Sequence, residues 1–100
     1  MLRGLLPGSD AKQQRDILYR LGRTAEQVNR HQLAADYYLR SALLADGKPD
    51  AMDVQARLAA GLALVQAGFR EDARAQFQWL LKNTTDPAQL AIAKRELAGL

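Results

Sequence analysis

The chain has 100 residues, 48% of them hydrophobic and 25% charged, with 14 basic and 11 acidic side chains and a net charge of +3. That apolar content excludes a disordered chain, and the length sets a single domain with a modest core. The absence of cysteine excludes a disulfide scaffold, a thiolate zinc site, a cysteine nucleophile and a Cys-ligated iron–sulfur cluster.

Ala and Leu supply 18 and 17 residues, whereas Val and Ile together supply 5. Strong helix formers dominate and the β-branched residues that a sheet draws on are scarce, which predicts an all-α fold. The first fifty residues carry 8 basic and 6 acidic side chains and the second fifty 6 and 5. Such an even mixture lacks the concentrated basic face of a nucleic-acid module. No apolar run approaches the ~20 residues needed to cross a bilayer, so no membrane insertion is expected.

Residues Met1 to Gly8 read as an apolar leader, with Leu2, Leu5 and Leu6 but too little length for a signal-peptide core. The domain follows over residues 9–100. Ser9 or Asp10 can cap a first helix, whose Ile17, Leu18, Leu21, Ala25 and Val28 follow helical spacing. A turn at Asn29-Arg30-His31 leads to a second helix with Leu33, Ala34, Tyr37, Tyr38, Ser41, Ala42 and Leu44 inward. Asp46-Gly47-Lys48-Pro49 stops it. Asp50 caps a third helix carrying Val54, Leu58, Gly61, Leu62, Leu64 and Val65, which ends at Gly68. The fourth begins between Phe69 and Asp72, carries Ala73, Phe77, Leu80 and Leu81, and stops near Asn83. In Asp86-Pro87-Ala88-Gln89, Asp caps, Pro takes the first helical position and Gln closes a capping box, so a fifth helix runs to the end.

The second pair of helices echoes the first at an offset of 39: Gly22 aligns with Gly61, Ala34 with Ala73, Tyr38 with Phe77, and the turn at Asn29 with that at Gly68. Small residues suit close helix approach, and an aromatic four residues after each Ala fills the space beside that contact. Leu18, Leu21-Gly22, Ala34, Tyr38 and Ser41 in the first unit, and Gly61, Leu64, Gly68, Ala73 and Phe77 in the second, resemble the tetratricopeptide repeat family. The resemblance spans most of residues 10–83. It implies antiparallel hairpins stacked as a short solenoid, with units 10–47 and 50–83 and a capping helix over 86–100. Ala25, where the family prefers a large aromatic, and Arg57, where it prefers an apolar residue, depart from it, and neither unit has the usual closing Pro at the expected distance. A homodimer, or a segment of a longer array, is a further possibility that the apolar Leu97 and Leu100 edge leaves open.

The resemblance further implies a ligand on the concave face lined by the first helix of each pair, with a protein or peptide as partner and no cofactor. The first unit supplies Asp16, Tyr19, Arg20, Arg23, Glu26 and Gln27; the second supplies Gln55, Leu58, Ala59, Leu62, Val65 and Gln66. The peptide-binding set is Tyr19, Arg20, Arg23, Gln27, Leu58, Leu62, Val65 and Gln66. Arg20 and Arg23, three apart, offer two forks for one carboxylate, and Leu58, Leu62 and Val65 offer a seat for an apolar anchor. The competing structural reading makes the Arg side chains solvated and the Leu side chains core.

Other residues carry less. His31 is the only histidine and reads as a turn or helix-start residue rather than a metal ligand or catalytic base. One of Tyr37 and Tyr38 is core, and Trp79 either packs on the fifth helix or serves as an exposed anchor. Asn83-Thr84-Thr85 matches the glycosylation sequon but also suits a helix-ending turn. The Ala56, Ala59, Ala60, Ala63, Ala67 stripe permits close helix packing. No catalytic constellation emerges, so the expectation is a non-enzymatic interaction scaffold. The alternative is a helix-turn-helix nucleic-acid binder, in which Gly22 ends one helix and Thr24-Ala25-Glu26-Gln27 caps the next.

Overall fold

The computed structural model describes residues 11–44 and 50–100. Among them are five helices and no strand: α1 (Ala11–Gln27), α2 (His31–Leu43), α3 (Ala51–Ala67), α4 (Arg70–Asn83) and α5 (Pro87–Gly99). Each helix packs chiefly on its neighbours in the chain. None is long and apolar enough to cross a membrane. The leader Met1–Gly8, the Ser9 or Asp10 cap and the Asp46-Gly47-Lys48-Pro49 stop lie outside the described residues.

The two hairpin turns are built alike. Asn29 and Gly68, 39 residues apart, both take the left-handed conformation, with φ of 59° and 89°. Asn and Gly are the residues that tolerate it best. Arg30 N–H donates to the Ala25 carbonyl at 2.9 Å, and its counterpart Phe69 N–H donates to Leu64 at the same distance. Arg30 and Phe69 then start α2 and α4 with nearly equal dihedrals and no side-chain cap.

Close approach within each hairpin rests on a glycine facing a ring. A Cβ on Gly22 would lie 2.6 Å from the Tyr38 ring, and one on Gly61 would lie 2.9 Å from the Phe77 ring. Tyr38, Phe77, Ala34 and Ala73 are all fully buried.

The apolar spacing of α1 misplaces its inner face. Ile17, Leu21 and Val28 are exposed, as are Leu33 of α2 and Leu81 of α4. Arg15, Gly22 and Ala25 are the buried residues of α1, with Leu18 half-buried. Small side chains let α1 and α2 touch closely, and the larger aliphatics fall outside that contact.

Helix α1 also runs unbroken through Gly22, without the break that the helix-turn-helix alternative requires. The Thr24 hydroxyl donates to the Arg20 carbonyl at 3.1 Å instead of capping a new helix. At α5, Asp86 caps as expected, accepting from Gln89 N–H at 3.0 Å. The box closes differently, because the Thr84 hydroxyl accepts from Asp86 N–H and donates to Gln89 Oε1. A threonine two residues upstream reaches that N–H more directly than the Gln89 side chain does.

Candidate functional site

A buried arginine sets α1 against α2 and α3. Arg15 is 7% exposed, and its two terminal nitrogens meet both oxygens of Asp50 at 3.0 and 2.5 Å. Asp50 is also the cap of α3, accepting from Asp53 N–H at 2.8 Å. The Ser41 hydroxyl of α2 donates to the Arg15 carbonyl at 2.8 Å. The Arg15 guanidinium, reinforced by the Asp53 N–H, lowers the Asp50 carboxyl to about 2. Asp50 in turn holds the Arg15 guanidinium above its ordinary value.

Beside this clamp, α1 and α3 leave a groove of about 500 Å³. Helix α1 contributes Tyr19, Arg23, Glu26 and Gln27; α3 contributes Gln55, Leu58, Ala59 and Leu62. At its base the Tyr38 hydroxyl donates to Glu26 at 2.5 Å, and the Tyr38 ring lies 5.1 Å from that of Tyr19. Burial, then the Glu26 contact, pushes the Tyr38 phenol far above its ordinary value, so it stays a neutral donor. Gln55 donates to the Tyr19 hydroxyl at 3.1 Å across the groove. Arg23 makes no ion pair among the described residues.

Five of the eight expected peptide-binding residues line this groove: Tyr19, Arg23, Gln27, Leu58 and Leu62. Arg20, Val65 and Gln66 do not. The 78%-exposed Arg20 side chain pairs with Asp16 at 3.1 Å, one turn back along α1. The expected two-fork clamp is therefore not assembled, and Arg23 stands alone. Val65 packs half-buried against the core, and Gln66 faces solvent.

Arg15 escaped the sequence reading because one of three arginines on a polar helix gives no local sign of burial; its partner lies 35 residues away. The Arg57 departure also resolves structurally. Its guanidinium lies 4.5 Å over the Trp79 ring, 3.4 Å from Asp53 and 3.3 Å from Gln76. Trp79 is thus half-buried beneath a cation rather than a free anchor. Arg57→Ala is expected to cost about 2 kcal/mol, since it removes a partly desolvated cation–π contact and strips buried Asp53 of its cation. The only tryptophan should then emit at longer wavelength; an unshifted spectrum would show that Arg57 does not shield it.

Tyr38 is the core tyrosine of its pair, and Tyr37 is half-buried. His31 opens α2 and borders a wider cleft of about 660 Å³ between α2 and the start of α4. Among the described residues no three His, Asp or Glu side chains gather to hold a metal ion. Protein-family models, curated proteins and solved structures give no match to the chain.

Proposed function

We propose that the chain is a non-enzymatic interaction scaffold of tetratricopeptide-like hairpins that docks an extended peptide between α1 and α3. The observation that carries this reading is the chemistry of the groove. One unpaired cation, Arg23, shares the groove with apolar Leu58, Ala59 and Leu62, the Glu26 carboxylate is engaged by the Tyr38 hydroxyl, and Gln27 and Gln55 supply amide donors and acceptors. That combination suits a segment with a carboxylate next to an aliphatic anchor. The repeated turn and glycine–ring geometry supports the stacked-hairpin arrangement. The unbroken α1 weighs against the nucleic-acid alternative.

Selection from a displayed random-peptide library tests the reading. Enriched peptides should pair an acidic residue with an aliphatic one. Arg23→Glu should weaken them at least tenfold, the loss of one charge-assisted hydrogen bond, while Arg20→Glu leaves affinity nearly unchanged. Enrichment indifferent to Arg23→Glu, or no enrichment, would refute the groove. Tight binding to duplex DNA that collapses with salt would establish the alternative.

A further inference from the structure

A hydrogen bond crosses the α1–α3 groove. The Gln55 side-chain amide donates to the Tyr19 hydroxyl at 3.1 Å, in contact with solvent. Tyr19 and Gln55 line the groove with Arg23, and they also line a second hollow of about 380 Å³ with Asp16, Ala51 and Met52. The two hollows therefore form one track between α1 and α3, with the Tyr19–Gln55 bond as a bar across it.

Half of the bar's hydrogen-bonding capacity is unused. The Tyr19 hydroxyl accepts from Gln55, but its own O–H meets no acceptor among the described residues, and Gln55 Oε1 meets no donor. A segment that runs from one hollow to the other covers both groups. Left unpaired under it, each would weaken binding by about tenfold. An extended chain supplies both partners at once, because the N–H and C=O of one residue point to the same side. A docked helix spends those groups within itself and would leave the bar unpaired.

We propose that Tyr19 and Gln55 read the main chain of the docked segment at one residue: the Tyr19 O–H donates to its carbonyl, and Gln55 Oε1 accepts from its N–H. Their role rests on the peptide groove proposed above and adds what that groove requires of its occupant. Arg23 lies four residues beyond Tyr19, about 6 Å along α1, and an extended chain advances about 3.3 Å per residue. The residue read by the bar is thus about two positions from the acidic side chain that meets Arg23. Proline is excluded there because it lacks the N–H. Arg23 selects a charge and Leu58 and Leu62 an apolar side chain, whereas the bar selects an extended backbone and sets the register of the other two.

An ester scan tests this role. The tightest peptide from the library selection is resynthesised with each backbone N–H in turn replaced by an ester oxygen, and each version is titrated by fluorescence anisotropy. One ester, about two residues from the acidic side chain, should bind about tenfold more weakly than the parent. With Gln55→Met the same ester should lose less than about twofold, a coupling that the double-mutant cycle isolates. Tyr19→Phe keeps the ring beside Tyr38 and should weaken the parent about threefold. Both variants should retain the helical circular dichroism. Arg23→Glu should weaken parent and ester alike and leave their ratio unchanged. A scan with no sensitive ester, or an ester loss that persists with Gln55→Met, overturns the main-chain contact; the groove itself survives that result if Arg23→Glu still weakens the parent. A selection without enrichment, or enriched peptides indifferent to Arg23→Glu, removes both. A gain of about tenfold in parent affinity on removal of residues 1–10 would make that segment the occupant and overturn the proposal as well.

Discussion

Arg15→Ala should lower stability by about 3 kcal/mol, read as the shift in a urea or thermal unfolding midpoint. Two losses combine: the buried aliphatic stem leaves a cavity, and the α1–α3 ion pair goes. Arg15→Met restores the stem, and should cost only about 1 kcal/mol, because Asp50 is half-exposed and water replaces much of what the guanidinium supplied. The Arg15 Nε is itself buried without an acceptor, which further reduces the loss when it is removed. Equal effects of the two substitutions would show that the charge, not the packing of the stem, dominates.

The pair also sets an acid dependence. Asp50 ionises at about 2 in the fold against an ordinary 3.8. A depressed carboxyl stabilises the fold above its unfolded value, and that contribution is lost as pH falls from about 4 to about 2. Discounted for the exposure of Asp50, it is on the order of 1 kcal/mol. Asp50→Asn isolates it, since Asn still caps α3. Wild type should exceed the variant at neutral pH, and the two should converge towards pH 2. A gap constant across that range would assign the difference to the cap instead.

Gly22→Ala is the second large effect, and its sign runs against helix propensity. In an exposed helix the change stabilises by about 1 kcal/mol. Here the new methyl would stand 2.6 and 2.7 Å from two carbons of the Tyr38 ring. That ring is fully buried, held through its hydroxyl by Glu26 and flanked by Tyr19, so it has little room to move. Overpacking of this kind costs about 1–3 kcal/mol, leaving after the propensity gain a net loss of up to about 2 kcal/mol and a fall in melting temperature of up to about 10 °C. Gly61→Ala should cost less, because its closest contact is 2.9 Å and Phe77 has no hydroxyl anchor. Tyr38→Leu in the Gly22→Ala background should recover part of the loss, a coupling that a double-mutant cycle measures. A rise in melting temperature for Gly22→Ala alone would refute the glycine–ring contact.

Element type and order were legible because they depend on local chemistry. Ala and Leu content, the Asp50 and Asp86 caps, and the left-handed turns at Asn29 and Gly68 act within a few residues, as does the proline that opens α5. The 39-residue echo located the glycine–ring contacts, since a repeated small residue and a repeated aromatic constrain the same pair of helices twice. Four of the eight site residues met in one groove for the same reason, Tyr19 matching Leu58 and Arg23 matching Leu62 at that offset, whereas Gln27 lines the groove and its counterpart Gln66 does not.

Local sequence could not settle which apolar residues are core. Ile17, Leu21 and Val28 form a good helical stripe, but α2 approaches α1 from the side of Gly22 and Ala25, where it can come closer. Arg20 and Arg23 were equivalent on paper until Asp16 engaged one of them. Arg15 gained its role only when a residue 35 positions away was brought against it, and Arg57 only when Trp79 arrived beneath it. Residue type and short-range spacing determined the helices, their ends and the small contacts between neighbours. The tertiary structure decided burial, charge pairing and the identity of the free cation, because each depends on which surfaces meet after the helices have formed.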